Sequence, residues 1–296
     1  MNPKYLLFIL SINLISFSLS SQDVWSPKEI MKIKSINQTD ISNDGKYIAY
    51  VVREAIMKDK KSEFLSQIWV YNTGGSQSIQ YTFNEKSSTS PKFSPDGEKI
   101  AFLSSRSGKN QIWIMNTLGG EAKKLTDEKK GVRSIKWSPD GNNISFLKND
   151  NDTEEETKSK DNKTDVILVD KNFKYSHIYS YDFTKDSVIQ ITKGNFSVNN
   201  FDYSPKGEKM IFSHQDDTNI NTGFVNTDIS LIESDGSNMK NIISRPGLDS
   251  NPIFSRDGNK FAFISSGGRQ ESIGLRDVYI YDLKNQKIIK LSDTPN

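Results

Sequence analysis

The chain has 296 residues, 39 Lys and Arg against 37 Asp and Glu, a formal net charge of +2, two histidines and no cysteine. This near-neutral balance gives no electrostatic case for a nucleic-acid partner, and the absence of thiols excludes disulfides and lipidated cysteines. Aromatic residues make up 10% of the chain, and its length fits one large domain better than two.

Residues 1–21 read as a secretory signal peptide. Lys4 supplies the positive start, Tyr5 to Leu19 is apolar but too short for a spanning helix, and Ser18, Ser20 and Ser21 are small enough for cleavage. The expectation is an exported protein, periplasmic or extracellular, without a membrane partner after cleavage. Next comes Trp25-Ser26-Pro27-Lys28-Glu29-Ile30. Ser26 suits an N-cap, Pro27 the first helical position, and Glu29 the far end of a capping box; Trp25 and Ile30 would staple a helix running to about Ile33.

From there one unit recurs. Its clearest copy starts at Phe93, where Ser94-Pro95-Asp96-Gly97 forms a turn that leads into Ile100-Ala101-Phe102-Leu103 and then Ile112-Trp113-Ile114-Met115. Pro presets φ at the second turn position, Asp suits the third, and Gly can take φ > 0. Short runs rich in aromatic and β-branched residues, bounded by Gly and Pro, are strands, and unbroken apolarity means cover on both faces. The turn glycines Gly45, Gly97, Gly141, Gly207 and Gly258 are spaced by 52, 44, 66 and 51 residues. A minimum near 44 residues is the period of a four-stranded propeller blade. The second halves recur at Gln67, Gln111, His177, Asp228 and Asp277, most of them followed by a segment ending in Thr or Ser (Thr82, Thr126, Thr192, Ser292). The fold class expected is all-β, a propeller of about five four-stranded blades over residues 22–296, preceded by the signal peptide and a short helix.

Between Lys148 and Thr164 the chain is polar and acidic, without an apolar residue, and reads as a solvated or disordered insertion. It is not an EF-hand loop, because Glu155 stands at the sixth position, where Gly is needed. Asp165 to Asp170 reads as a strand. The intervals Arg53 to Phe64 and Gln215 to Thr227 read as loops; all three insertions leave the second strand of a blade and belong to one rim.

The residues offer little chemistry. No two glycines lie four apart, so the nucleophile elbow Gly-x-Ser-x-Gly is absent. His177 and His214, each at a strand end, read as structural or surface groups, His177 at a blade edge; two histidines without a third ligand make no zinc site. Asp44, Asp96, Asp140 and Asp257 read as turn formers and not as a glycosidase carboxylate pair. Arg106 and Arg269, just past two second strands, read as solvated loop arginines and not as a substrate clamp. The sequence therefore assigns no catalytic, cofactor-binding or metal-binding residue and no cofactor.

The repeats resemble the WD40-like Ser-Pro-Asp-Gly blades shared by TolB and by the prolyl oligopeptidase family of serine peptidases. Three longer segments are similar to the acylaminoacyl-peptidase or dipeptidyl-peptidase-like branch of that family. These are Ser26-Pro27-Lys28-Glu29 with its helix, Asp165 to Asp170 followed by Lys174-Tyr175-Ser176-His177-Ile178-Tyr179, and Arg245-Pro246-Gly247-Leu248-Asp249-Ser250-Asn251-Pro252. The resemblance implies a substrate-gating propeller of about seven or eight blades, followed by an α/β-hydrolase domain that carries the catalytic Ser, Asp and His and acts on short peptides. No position here matches those catalytic residues, so the expectation is an incomplete propeller without its hydrolase domain. The alternative the resemblance allows is a TolB-like periplasmic binding propeller without catalysis.

Overall fold

A computed structural model of the chain describes residues 26–58, 61–75, 77–164, 174–217, 226–270, 274 and 276–291. The expected signal peptide, Trp25, the strand expected at Asp165–Asp170, most of the Gln215–Thr227 interval and Ser292 lie outside these residues. The chain divides into two units, Met1–Ile33 and Lys34–Asn296.

In the first unit, helix α1 (Pro27–Met31) starts where the sequence places it, with the Ser26 hydroxyl accepting from Glu29 N at 3.2 Å. Two expectations fail. The helix stops at Met31, short of Ile33, and the capping box is only half made, because the Glu29 carboxylate pairs with Lys32 at 2.7 Å instead of reaching back. Ile30 is exposed.

The second unit holds five blades of four strands. The first is β1 (Ser35–Ile41), β2 (Tyr47–Lys58), β3 (Lys61–Asn72) and β4 (Ser78–Gln80); the second is β5 (Ser88–Phe93), β6 (Lys99–Ser104), β7 (Gln111–Asn116) and β8 (Lys123–Lys124). The third is β9 (Arg133–Trp137), β10 (Asn143–Asn149), β11 (Ser176–Asp182) and β12 (Ser187–Gln190); the fourth is β13 (Ser197–Tyr203), β14 (Lys209–Gln215), β15 (Asn226–Glu233) and β16 (Lys240–Ile243); the fifth is β17 (Gly247–Phe254), β18 (Lys260–Ser265), β19 (Asp277–Asp282) and β20 (Lys287–Lys290). Within a blade, strands pair in chain order and antiparallel. A short parallel bridge, Asn226↔Gly247 and Thr227↔Leu248, also joins the fourth blade to the fifth.

The repeated turn works as its composition requires. In the second blade Gly97 N donates to Ser94 O, the Ser94 hydroxyl bonds to Asp96 at 2.5 Å, and Asp96 accepts from Glu98 N at 3.0 Å. The five turn glycines have φ of +70° to +76°, the left-handed region in which glycine carries no steric penalty. The fourth blade has Lys206 in place of the acid and keeps the turn through Ser204, which accepts from Lys209 N at 3.0 Å.

Counted from each turn glycine, positions three and five carry large side chains and positions four and six smaller or aliphatic ones. Ile100 and Phe102 face the first blade, Ile144 and Phe146 the second, Met210 and Phe212 the third, and Phe261 and Phe263 the fourth, all essentially fully buried. The opposite faces supply Ala49 and Val51, Ala101 and Leu103, Leu147, and Ile211. Four apolar clusters thus lie between successive blades, each large buried side chain contributing about 1.5–3 kcal/mol. Aspartates lock the blades further. Asp40 accepts from Phe93 N and from Lys92 Nζ, each at 2.8 Å. Asp202 accepts from Lys136 Nζ of the third blade at 2.7 Å and from Phe254 N of the fifth at 3.0 Å.

Two insertions differ from expectation. Arg53 to Phe64 is no loop: β2 and β3 pair in register from Tyr47↔Asn72 out to Lys58↔Lys61 as one long hairpin, and Arg53 stacks on Phe64 at 3.6 Å. Within Lys148–Thr164 lies helix α2 (Glu154–Asp161), which buries nothing and is held by its ends. Thr153 and Glu156 form a reciprocal capping box, acids fill the first turn, and Lys158 and Lys160 sit in the last, matching the helix dipole.

Candidate functional site

The functional groups gather at the end of the blades where second strands leave and third strands enter. A repeated clasp closes this end. Thr82 Oγ1 accepts from Ile68 N at 2.9 Å and donates to Gln67 Oε1 at 2.5 Å; Thr126 does the same for Ile112 N and Gln111 at 3.0 and 2.8 Å. In the third blade Thr192 accepts from Ile178 N at 2.9 Å and meets His177 Nδ1 at 3.3 Å. The fourth uses Ser244 on Asp228 at 2.9 Å. Thr82, Thr126 and Thr192, noticed in the sequence, are these clasp hydroxyls; Ser244 was not singled out there.

His177 is therefore not at a blade edge. It is 3% exposed, in a middle strand, and fills the place that Gln67 and Gln111 fill elsewhere. His214 is 2% exposed, and Phe196 touches both rings, at centroid distances of 5.4 and 5.1 Å. Desolvation holds both imidazoles below their usual pKa.

His214 sits in a chain that has the order of a hydrolytic triad. Its Nε2 lies 2.8 Å from Ser230 Oγ, and Asp216 Oδ1 stands 3.5 Å from Nδ1. The arrangement cannot attack a carbonyl. Ser230 is fully buried, and its hydroxyl donates to Asn241 Oδ1 across the sheet, so His214 must donate through Nε2–H and has no lone pair for that serine. Nδ1 is left without a hydrogen-bond partner.

One of the two singled-out arginines also differs from its sequence reading. Arg106 is half-buried and not a solvated loop group: Nε reaches Ser104 Oγ and Nη2 reaches Ser88 Oγ, both at 3.1 Å, and its guanidinium lies 4.7 Å from the Trp113 ring centroid. Arg269 is exposed. Arg245 makes two bonds to the Asp249 carboxylate, at 3.0 and 2.9 Å, and one to Ser265 at 2.7 Å. Asp44, Asp96, Asp140 and Asp257 all bond within their own turns and remain in separate blades.

What the sequence did not single out is a basic cleft of about 300 Å³ between the second and third blades, lined by Lys109, Asn110, Lys130, Arg133, Lys148 and Asn149 among others. Gly131 shapes its wall. With φ at +73°, it brings Val132 N to Asn110 O at 2.8 Å, and a Cβ there would crowd Asn110 O at 3.1 Å. Lys148 is buried and pairs with Glu128 at 2.8 Å over the Tyr179 ring. Lys130 and Lys160 pair with Asp152 and hold its carboxyl down to about 2. Arg133 donates from Nη2 to Ser176 Oγ at 2.7 Å, and desolvation lowers its pKa. No signal in the sequence joins Lys109 to Arg133, because they belong to different repeats. Among the described residues no three metal-ligating side chains come together, and no helix is long and apolar enough to cross a membrane.

Residues 64–166 match the family model of the Tricorn protease N-terminal beta propeller domain. The uncharacterized peptidase YuxL of Bacillus subtilis is 38% identical over 80 residues, 27% of this chain and 12% of that protein. The acylaminoacyl peptidase of Pyrococcus horikoshii superposes with a TM-score of 0.68 at 21% identity, over 90% of this chain and 41% of its own. A structure described as a TolB of Agrobacterium tumefaciens superposes with a TM-score of 0.58 at 19% identity, over 87% of this chain and 80% of its own. The chain thus spans a minor part of both peptidases, and at these identities the two structures speak for the fold alone. The chain is a β-propeller of four-stranded blades, similar over residues 64–166 to the Tricorn protease N-terminal beta propeller domain.

Proposed function

We propose that this chain is the substrate-gating propeller part of an exported serine peptidase that acts on short peptides. The observations that carry the reading are two sequence matches, one of residues 64–166 to a Tricorn propeller and one over 80 residues to a peptidase. Export belongs to the same proposal and rests on Lys4 and the apolar run that follows it. In this reading the nucleophile is supplied by an α/β-hydrolase domain encoded beyond Asn296, and the propeller restricts access to it. Burial of Ser230 and its hydrogen bond to Asn241 speak against it as that nucleophile.

A TolB-like binding propeller is the second reading, favoured by the coverage of four-fifths of the Agrobacterium tumefaciens chain. Sequencing the gene past Asn296 and assaying the longer product separates the two. The peptidase reading expects a Gly-x-Ser-x-Gly motif, hydrolysis of acylaminoacyl or dipeptidyl chromogenic substrates by the longer product, and no fluorophosphonate labelling of the 296-residue chain. A stop codon after one more blade sinks the peptidase reading, as does stoichiometric labelling of a serine in this chain.

A further inference from the structure

Arg106, Arg133 and Arg245 stand at the site end of the blades, and their partners differ. Arg245 has the Asp249 carboxylate, and Arg106 is packed against Trp113 and Phe102. Arg133 has one neutral hydroxyl, Ser176 Oγ. Among the described residues no carboxylate meets Arg133 or Lys109, while the other two cations of the cleft, Lys130 and Lys148, each have an acid. Among the described residues the cleft therefore carries two positive charges without a carboxylate partner, both on exposed residues, Lys109 and Arg133. A guanidinium offers parallel N–H donors that fit a planar or tetrahedral oxyanion, and a second cation in the same cleft adds to the attraction. Asn110 and Asn149 add neutral donors at the walls.

We propose that the cleft between the second and third blades is an oxyanion-binding site, in which Arg133 is the principal donor and Lys109 the second cation. Phosphate and carboxylate groups share this chemistry. Bound there, the anion ties a loop of the second blade to the first strand of the third, so binding stabilises that interface. The site stands on its own geometry and does not depend on the peptidase reading, because its readout is binding and not hydrolysis.

The test uses the whole chain, with inorganic phosphate and acetate as separate probes against chloride at matched ionic strength, pH 7.5, in calorimetric titration and thermal melting. At least one of the two oxyanions binds and raises Tm, and the one that does names the source of the group. Arg133→Gln weakens binding by about tenfold or more, the loss of a charge-assisted bond. Lys109→Gln, in an exposed loop and safe for folding, weakens it less, and Lys123→Gln on the distant β8 leaves it unchanged. The proposal is overturned if neither anion differs from chloride, or if Arg133→Gln and Lys109→Gln both keep the wild-type affinity.

Discussion

His177 shows how one residue can keep its place while changing its chemistry. Gln67 and Gln111 serve the first two clasps by accepting from threonine through Oε1 and donating to backbone carbonyls through Nε2. His177 meets Thr192 and fills the remaining space with a ring against Phe196. A buried imidazole resists protonation, so its folded pKa lies below the unfolded value of about 6.5. Below that value the unfolded chain binds protons that the folded chain refuses. The stabilisation is complete above pH 6.5 and is lost as pH falls from there through the folded pKa. His214 has the same sign. Tm should therefore fall between pH 8 and pH 5. His177→Gln, which installs the residue native to two other clasps, should fold normally and give a shallower slope over that range. An unchanged slope with intact folding would show that His177 is not among the linked groups.

At the scale of the element, each of the first four blades is closed by a hydroxyl that ends its fourth segment. Thr126 is buried and is both the acceptor for Ile112 N and the donor to Gln111. Thr126→Val keeps the shape and removes the oxygen, which strands a buried N–H at a cost of about 1–3 kcal/mol. Equilibrium urea unfolding should show a loss of that size with little change in slope; a loss below half a kcal/mol would mean water replaces the hydroxyl. The clasp also shows what was legible in the sequence. The turn motif, the paired apolar runs and the terminal Thr and Ser recur in the chain, so blade order and strand identity could be read from it. Burial of His177 could not, since a polar residue at a strand start looks the same in a clasp as at an edge. Helix α2 escaped because it has no apolar face, and its one trace was the Thr153-x-x-Glu156 pair of a capping box. The long β2–β3 hairpin escaped because its outer pairs, such as Ile56↔Glu63, mix apolar with charged residues and show no strand alternation. The basic cleft draws on two repeats, and a sequence read one repeat at a time cannot assemble it.

Across the second unit, two blade faces have no apolar cluster among the described residues. On the first blade, positions three and five after the turn glycine are Ile48 and Tyr50, paired with Tyr71 and Trp69. Their counterparts in the other four blades are fully buried against the preceding blade, yet these are only half-buried, and Ile36 and Ile41 beside them are exposed. On the fifth blade, positions four and six are Ala262 and Ile264, also half-buried, with Val278 and Ile289 exposed nearby. Both faces carry the pattern that elsewhere packs blade on blade, and water on such a face costs about 25 cal/mol for each Å² left uncovered. Edge strands and apolar faces of this kind promote association. The chain expressed alone should therefore associate in a concentration-dependent way by size-exclusion chromatography with light scattering. Tyr50→Lys combined with Ile264→Lys should shift it toward monomer, because each places a charge at the centre of a face while sparing the four interfaces between blades. Under the peptidase proposal, a longer product continuing past Asn296 should have the same effect by covering the faces. A wild-type chain that stays monomeric at all concentrations and melts cooperatively would show that the two faces are already covered, and the reading of an incomplete propeller would then be wrong.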